Sequence, residues 1–206
     1  MEISFLRNAM NDIARIKGIP EKEVFARIDG DGVTHIYKTS IFGGDGIFHF
    51  KTDEEFNVYF DEIILSEQYG MARDLAEVSH NGQVDKQGNP YFGHLKRVSD
   101  KCYNMPSRIV ALLHDIIEDT SVDEQMLRAG FRTDIVDAVV ALTKLKSETY
   151  GDYIHRLSTN PMAVYVKIRD LEDNMNVARL PELRQADIDR LEKYHKAYTF
   201  LKSLPC

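Results

Sequence analysis

From residue 66 onward, apolar residues recur every three or four positions, the spacing that gathers them on one face of a helix. Ile109, Val110, Leu112, Leu113, Ile116 and Ile117 form one such run, with Pro106 placed for its first turn. Ile135, Val136, Val139, Val140 and Leu142 form another, with Thr133 as the expected cap. Between them, Ser121-Val122-Asp123-Glu124 reads as a capping box for a short helix that Gly130 ends. Further helices are expected over about 150–158, from Asn160-Pro161 through Asp170, and from Asp187 to Leu204. Val164, Ile168, Leu171 and Met175 make the apolar stripe of the Asp170 helix. In the last helix Ile188, Leu191, Tyr194, Tyr198 and Leu201 keep helical spacing and are expected in a core or interface rather than at a ligand.

Residues 1–65 pattern differently. Helical spacing at about 4–17 and 21–28 precedes two alternating runs, Val33 to Thr39 and Ile47 to Lys51, joined through Gly43-Gly44-Asp45-Gly46 as a hairpin. Thr52-Asp53-Glu54-Glu55 then starts a helix to about 65. Asp29-Gly30-Asp31-Gly32 lacks the later acidic positions of a calcium loop and reads as a turn. His35 and His49 fall in the strand runs and are expected to pack or face solvent rather than bind a ligand. The expected architecture is therefore mainly α: a helical domain over 66–206 behind a small N-terminal α/β extension, 1–65, that packs on the helical part or mediates self-association as a homo-oligomer.

With 206 residues, 43% hydrophobic and 29% charged, the chain can build one full core. No apolar run approaches membrane length and the N-terminus lacks a signal peptide's pattern. Two cysteines, Cys102 and Cys206, make neither a disulfide framework nor a zinc ribbon, so a cytoplasmic setting is expected. Net charge is −7. Residues 1–65 carry 7 Lys/Arg against 12 Asp/Glu, the wrong sign for a DNA-binding winged helix. The remainder carries 19 against 21, a balance that admits a small polyanion but offers no broad face to nucleic acid.

The chemistry concentrates in His114, Asp115, Glu118 and Asp119. On a continuous helix they crowd about one turn of an otherwise apolar segment. Three carboxylates in a core-facing turn need a balancing cation, and His with Asp is a ligand set that divalent metals accept. The alternative is an acidic stripe facing water. Adjacent His and Asp cannot fill a coordination shell, so partners must come from elsewhere. His80, just before Asn81-Gly82, is one candidate, although a His in a last helical turn is also favoured by the dipole. Asp170 is the other, standing with Asn174 beside the apolar stripe, where a solvated helix charge is the competing reading.

These blocks resemble a known family. The order His80, then His114-Asp115, then Asp170 is similar to the HD-domain metal-dependent phosphohydrolases. The closer likeness is to the branch that hydrolyses the alarmone guanosine tetraphosphate (ppGpp) at its 3′-pyrophosphate. It is carried by His80-Asn81-Gly82-Gln83, Gly88-Asn89-Pro90-Tyr91, His94, Arg97-Val98, Leu112 to Asp115, Glu118-Asp119-Thr120, Leu142-Thr143-Lys144, Val166 to Leu171 and Asn174-Met175, over roughly residues 66–180. The resemblance implies an HD-domain helical bundle. It also implies that His80, His114, Asp115 and Asp170 bind a divalent metal, manganese in this branch. Glu118 and Asp119 would position or deprotonate the attacking water, Asn174 would contact the nucleotide sugar, and Lys86 would lie along the substrate. Two stretches depart from the family. Asp85-Lys86-Gln87 stands where Arg-Lys-Ser is usual, and Leu171-Glu172-Asp173-Asn174 stands where Arg-Leu-His-Asn is common, which leaves base preference open.

The same residues make chemical sense without the family. Two neutral imidazoles and two carboxylates cancel the charge of a divalent cation, and Glu118 can take a proton from water. Cationic groups to absorb phosphoryl charge would come from Lys86, Lys144, Lys146, Arg156, Lys167, Arg169 and Arg179, with Lys86 first and Lys144 second. His94 is expected to cap or support rather than ligate, because His80 already supplies the second imidazole. The expected activity is metal-dependent hydrolysis of a phosphoanhydride or phosphoester bond of a nucleotide. Another nucleotide substrate, or a regulatory module that binds nucleotide without turnover, is the alternative.

Overall fold

The computed structural model describes residues 24–28, 34–38, 48–50, 53–180 and 182–205, with side chains from residue 64 onward. The expected helix at 4–17 and the Asp29–Gly32 turn lie outside these residues. The backbone divides into two compact units, Met1–Glu67 with Ala129–Phe131, and Gln68–Arg128 with Arg132–Cys206.

In the first unit three strands form an antiparallel sheet in the order β1 (Val24–Ile28), β2 (Thr34–Lys38), β3 (Phe48–Phe50). His35 pairs with His49 across β2 and β3. The 21–28 segment, expected as helix, instead supplies β1, with Val24 opposite Lys38 and Ile28 opposite Thr34. Val24, Phe25 and Ile28 are β-branched or aromatic and suit a strand once a partner is present, so pairing overrides a short helical pattern.

Helix α1 (Asp53–Ser79) is one 27-residue element rather than a helix that stops near 65. It runs through the expected boundary at 65/66. Gln68, Ala72, Ala76 and His80, each four residues apart, are all buried. This i+4 ladder delivers His80 to the interior at the end of the helix.

The helical unit continues with α2 (Phe92–Asp100), α3 (Met105–Leu113), α4 (Ile116–Asp119), α5 (Glu124–Gly130), α6 (Thr133–Leu142), α7 (Tyr150–Leu157), α8 (Pro161–Asn174), a 3-10 turn (Val177–Arg179) and α9 (Gln185–Lys202). Helix α8 packs against α2, α3, α6 and α9, and α3 against α2 and α6. In α3 Ile109 through Leu113 are all buried, as expected for a helix surrounded by others. A core of Tyr153, Ile154, Leu157, Ile168, Leu171, Ala197 and Leu201 joins α7, α8 and α9, with Val164 and Met175 at its edge. The expected stripe of the Asp170 helix is thus the core-facing one.

Helix starts follow local chemistry. Asn104 accepts from the Ser107 N–H with Pro106 in the first turn, Thr149 accepts from Asp152, and Asn160 accepts from Ala163 with Pro161 in the first turn. Such caps contribute about 1 kcal/mol each. Two differ from expectation. Asp123, not Ser121, accepts the Met126 N–H at the start of α5, because the Thr120 hydroxyl already takes the Val122 N–H and turns the chain there. Thr133 is the first residue of α6, whose N-cap is Arg132 without a side-chain cap bond.

In α9 Leu201 is buried but Ile188 is 45% exposed, so the apolar spacing does not bury the helix's first turn. Leu201→Ala should cost about 2–5 kcal/mol in urea unfolding. Ile188→Ser should stay within about 0.5 kcal/mol of wild type.

Candidate metal centre and cleft

The helix expected to carry the whole tetrad is interrupted within it. Helix α3 ends at Leu113, His114 caps it, and Asp115 sits at φ −104°, ψ 0° before α4 begins. The interruption swings two adjacent side chains together: His114 Nε2 lies 3.0 Å from Asp115 Oδ2. Asp170, on α8, places Oδ1 3.6 Å from the same nitrogen.

The tautomers of two histidines follow from their partners. His114 Nδ1 lies 2.7 Å from the Ala111 carbonyl, which can only accept, so Nδ1 carries a proton and Nε2 is the nitrogen turned toward Asp115 and Asp170. Gln83 Nε2 donates to the Asp119 carbonyl at 2.9 Å, which turns its Oε1 toward His80 Nδ1 at 2.8 Å. His80 is therefore also an Nδ1–H ring. Both Nε2 atoms are buried without a hydrogen-bond partner. A buried nitrogen without a hydrogen-bond partner is costly, and a metal cation is one partner that an imidazole Nε2 can take.

Asp170, 3% exposed, is held by several partners. Burial opposes its ionisation, but Lys167 above all, then His114 and His94, hold its pKa well below the usual range. Lys167 Nζ lies 2.8 Å from Oδ2, and Asn174 Nδ2 donates to Oδ1 at 2.5 Å. Asp115 is similar: burial opposes its charge and His114 outweighs it, so its pKa falls. The Tyr91 hydroxyl donates to Asp115 Oδ2 at 2.5 Å, while its ring lies 5.2 Å from that of His80. Burial and the neighbouring Asp115 push the tyrosine pKa upward, keeping it a donor. For His114 burial works against a charge, yet Asp115 and Asp170 raise its pKa well above the usual value. The same carboxylates that attract a proton there would attract a divalent cation.

Among the described residues, His94, His114 and Asp170 form the group whose ligand-type atoms all come within 4.8 Å of one another. His94 differs from the other two histidines because carboxylates flank both its nitrogens. Nδ1 is 2.8 Å from Asp173 Oδ2 and Nε2 is 3.2 Å from Asp170 Oδ1.

Of the expected ligands, His80 and Asp115 are not in that group. Glu118 accepts the Lys144 backbone N–H at 3.0 Å, tying α4 to the end of α6. Asp119 has a raised pKa, from partial burial and then from Asp115 and Glu118. A cleft of about 470 Å³ is walled by Tyr91, Asp115, Glu118, Asp170 and Asn174 together with Lys86 and Lys144. Asp119 is not part of its wall. Arg156 leaves the cationic pool: it binds Glu148 at 2.6 Å and the Ala141 and Thr143 carbonyls, bracing the 143–148 loop. Arg179 lines the cleft, and so do Arg190, Lys193, Tyr150 and Tyr194, which sequence reasoning did not assign to it. Lys193 stands 4.7 Å above the Tyr150 ring and 5.2 Å from that of Tyr194. Tyr194 therefore faces a cleft rather than a closed core. The i, i+3, i+4 spacing of Arg190, Lys193 and Tyr194 was the available signal.

The chain matches no protein-family model. It is similar to a Mycoplasma pneumoniae protein named probable guanosine-3′,5′-bis(diphosphate) 3′-pyrophosphohydrolase, 43% identical over 82 residues, 38% of this chain and 11% of that one. A Borreliella burgdorferi guanosine-3′,5′-bis(diphosphate) 3′-pyrophosphohydrolase is 27% identical over 153 residues, 66% of this chain and 22% of that one. A Streptomyces coelicolor GTP pyrophosphokinase is 32% identical over 125 residues, 54% and 15% of the two chains. The aligned part of the chain thus spans between about a tenth and a fifth of these relatives. Among solved structures, one described as "A metazoan ortholog of SpoT hydrolyzes ppGpp and plays a role in starvation responses" superposes with a TM-score of 0.56 at 22% identity, over 66% of this chain and 85% of that one. Over that part of the chain the fold is the one that structure has, and the relatives uphold the likeness to alarmone 3′-pyrophosphohydrolases.

If the two orphaned nitrogens await a cation, Mn²⁺ at 100 times its Kd should stabilise the protein by about 2.7 kcal/mol, seen as a Tm increase that EDTA reverses. Asp170→Asn should remove that increase. A wild-type Tm indifferent to divalent metals would exclude the metal reading.

Proposed function

We propose that the chain is a metal-dependent phosphohydrolase that cleaves a phosphoanhydride or phosphoester bond of a nucleotide. Guanosine-3′,5′-bis(diphosphate), cut at its 3′-pyrophosphate, is the leading substrate. The reading rests on the buried His114 Nε2, 3.0 Å from Asp115 and 3.6 Å from Asp170, next to a cleft with cationic walls, with the buried Nε2 of His80 left without a hydrogen-bond partner. The relatives' names and the shared fold support it.

In this reading His80, His114, Asp115 and Asp170 hold one divalent cation, Mn²⁺ by resemblance. His94 supports Asp170, because its two nitrogens are already engaged by carboxylates. The bound cation would supply Lewis acidity, drawing charge from a phosphoryl oxygen and making water easier to deprotonate. The protein's own groups do the rest. Tyr91 keeps Asp115 oriented through its hydroxyl. Glu118, with Oε2 fixed by the Lys144 N–H, presents its other oxygen to take the proton from water, and Asp119 raises the negative potential beside it. Lys86, Lys144, Arg179, Arg190 and Lys193 can absorb charge on the phosphoryl oxygens. Asn174 gives Nδ2 to Asp170 and keeps its carbonyl for a sugar hydroxyl.

Asp85 lines the cleft but is engaged by its own loop. Its Oδ1 accepts the N–H groups of Gln87 and Asn89, and its Oδ2 is buried. This carboxylate folds the substrate loop, so its presence is compatible with a guanine nucleotide. We assign residues 66–206 to the hydrolase domain, and residues 1–65 to an N-terminal extension that packs on the helical part or mediates self-association. No described helix is long and apolar enough to cross a membrane, and we place the protein in the cytoplasm.

With Mn²⁺ and a nucleotide panel, pyrophosphate or phosphate release should be greatest from the 3′-pyrophosphorylated guanine nucleotide. Glu118→Gln should lose about 10²–10⁴ in kcat while binding Mn²⁺ as wild type does. Tight nucleotide binding with no release by wild type would instead identify a regulatory module.

A further inference from the structure

A second buried carboxylate takes no part in the chemistry above. Asp173, 2% exposed, faces His94 Nδ1 at 2.8 Å, Arg179 Nη1 at 3.0 Å, Arg97 Nε at 3.2 Å and Lys101 Nζ at 3.6 Å. Arg97 also donates from Nη2 to Asp173 Oδ2 at 3.3 Å, so one edge of the guanidinium grips the carboxylate. That Nη2 lies 3.7 Å from Asp85 Oδ2, a buried oxygen with no hydrogen bond. Arg97 therefore stands between two carboxylates from different parts of the chain. Asp85 is the residue whose Oδ1 folds the loop after His80, helped by Gly88 at φ +79° and the Val84–Pro90 bridge. Asp173 orients His94, whose Nε2 lies 3.2 Å from Asp170. At Gly93 a Cβ would approach Arg97 Nη1 to 3.3 Å, so the absent side chain leaves room for the guanidinium. Both carboxylates stand where the family pattern is basic, and the structure puts one cation between them.

We propose that Arg97 is a positioning residue that couples the substrate loop, residues 83–91, to the metal carboxylate Asp170 through Asp173 and His94. The inference rests on the reading of Asp170 as a metal ligand. Two buried carboxylates close to one guanidinium cannot be served by a point charge, since only the planar fork grips Asp173 along one edge while approaching Asp85. Removing it leaves Asp85 Oδ2 buried without a nearby cation, so the loop must open to hydrate it. It also takes two hydrogen bonds from the carboxylate that aims His94. Binding linkage is reciprocal: if the loop and the metal carboxylate are coupled through Arg97, the metal must order the loop as much as the loop favours the metal.

The test uses Mn²⁺ alone, without nucleotide, on the full chain. Amide hydrogen exchange is followed across residues 83–91 with and without Mn²⁺, and the Mn²⁺ Kd is measured by calorimetry, for wild type, Arg97→Met and Asp85→Asn. Mn²⁺ should slow loop exchange in wild type and leave it unchanged in either variant. Arg97→Met should weaken Mn²⁺ binding about tenfold. The double variant should add nothing to the loss of loop response in the single ones. Equal slowing in wild type and Arg97→Met, or a Kd within twofold of wild type, overturns the coupling while leaving the metal site intact. A wild-type protein that binds no Mn²⁺ overturns the metal reading itself. Should Arg97→Met fold poorly, Asp85→Asn carries the loop measurement alone.

Discussion

A carboxylate that water cannot reach has to be met by positive charge, and Asp170 is that carboxylate here. Lys167 and Asn174 touch it from its own helix, His94 comes from α2, and His114 stands at the end of α3. An isolated ionised carboxylate at this depth would cost many kcal/mol, so the helices around α8 cannot be rearranged independently of these contacts. Charge balance around Asp170 thus links packing to chemistry. The groups that compensate it in the folded chain are the groups that would share it with a metal.

The fold meets this constraint with small deviations from regularity. A buried i+4 ladder on α1 ends in His80, so a polar ring reaches the interior at the helix terminus, where the Gln83 side chain fixes its tautomer. The interruption at His114-Asp115 costs two residues of helix but turns adjacent side chains toward one point, which a continuous helix would splay by about 100°. Glu118 is then held by the Lys144 N–H, two residues beyond the end of α6, which ties the one-turn helix to that neighbour. Each deviation sits where a side chain must be aimed.

Much of this was legible in the sequence. The stripe of α8, its start at Asn160-Pro161 and the burial of α3 follow from spacing and from residues with one strong local preference. The tetrad drew attention because so many carboxylates beside apolar residues are unusual, and the structure separates it into a buried His114 and exposed Glu118 and Asp119. What escaped was long-range. Nothing local marks Asp115 as a helix break or joins Asp85 to Arg97 and Asp173, since these contacts depend on how α2, α8 and the loop pack. In α9, Tyr194 looked like core because an amphipathic ring fits a cleft wall as well as an interior. The short 21–28 segment became a strand because pairing decides such segments, and pairing is invisible to a window of eight residues.

Diffraction from crystals grown with Mn²⁺, collected at the manganese absorption edge, would locate the cation without assumptions. One anomalous peak is predicted within bonding distance of His80 Nε2, His114 Nε2 and the Asp115 and Asp170 carboxylates, with His94 outside the shell. A peak bound by His94 and not by His80, or no peak near Asp170, would contradict the four-residue centre.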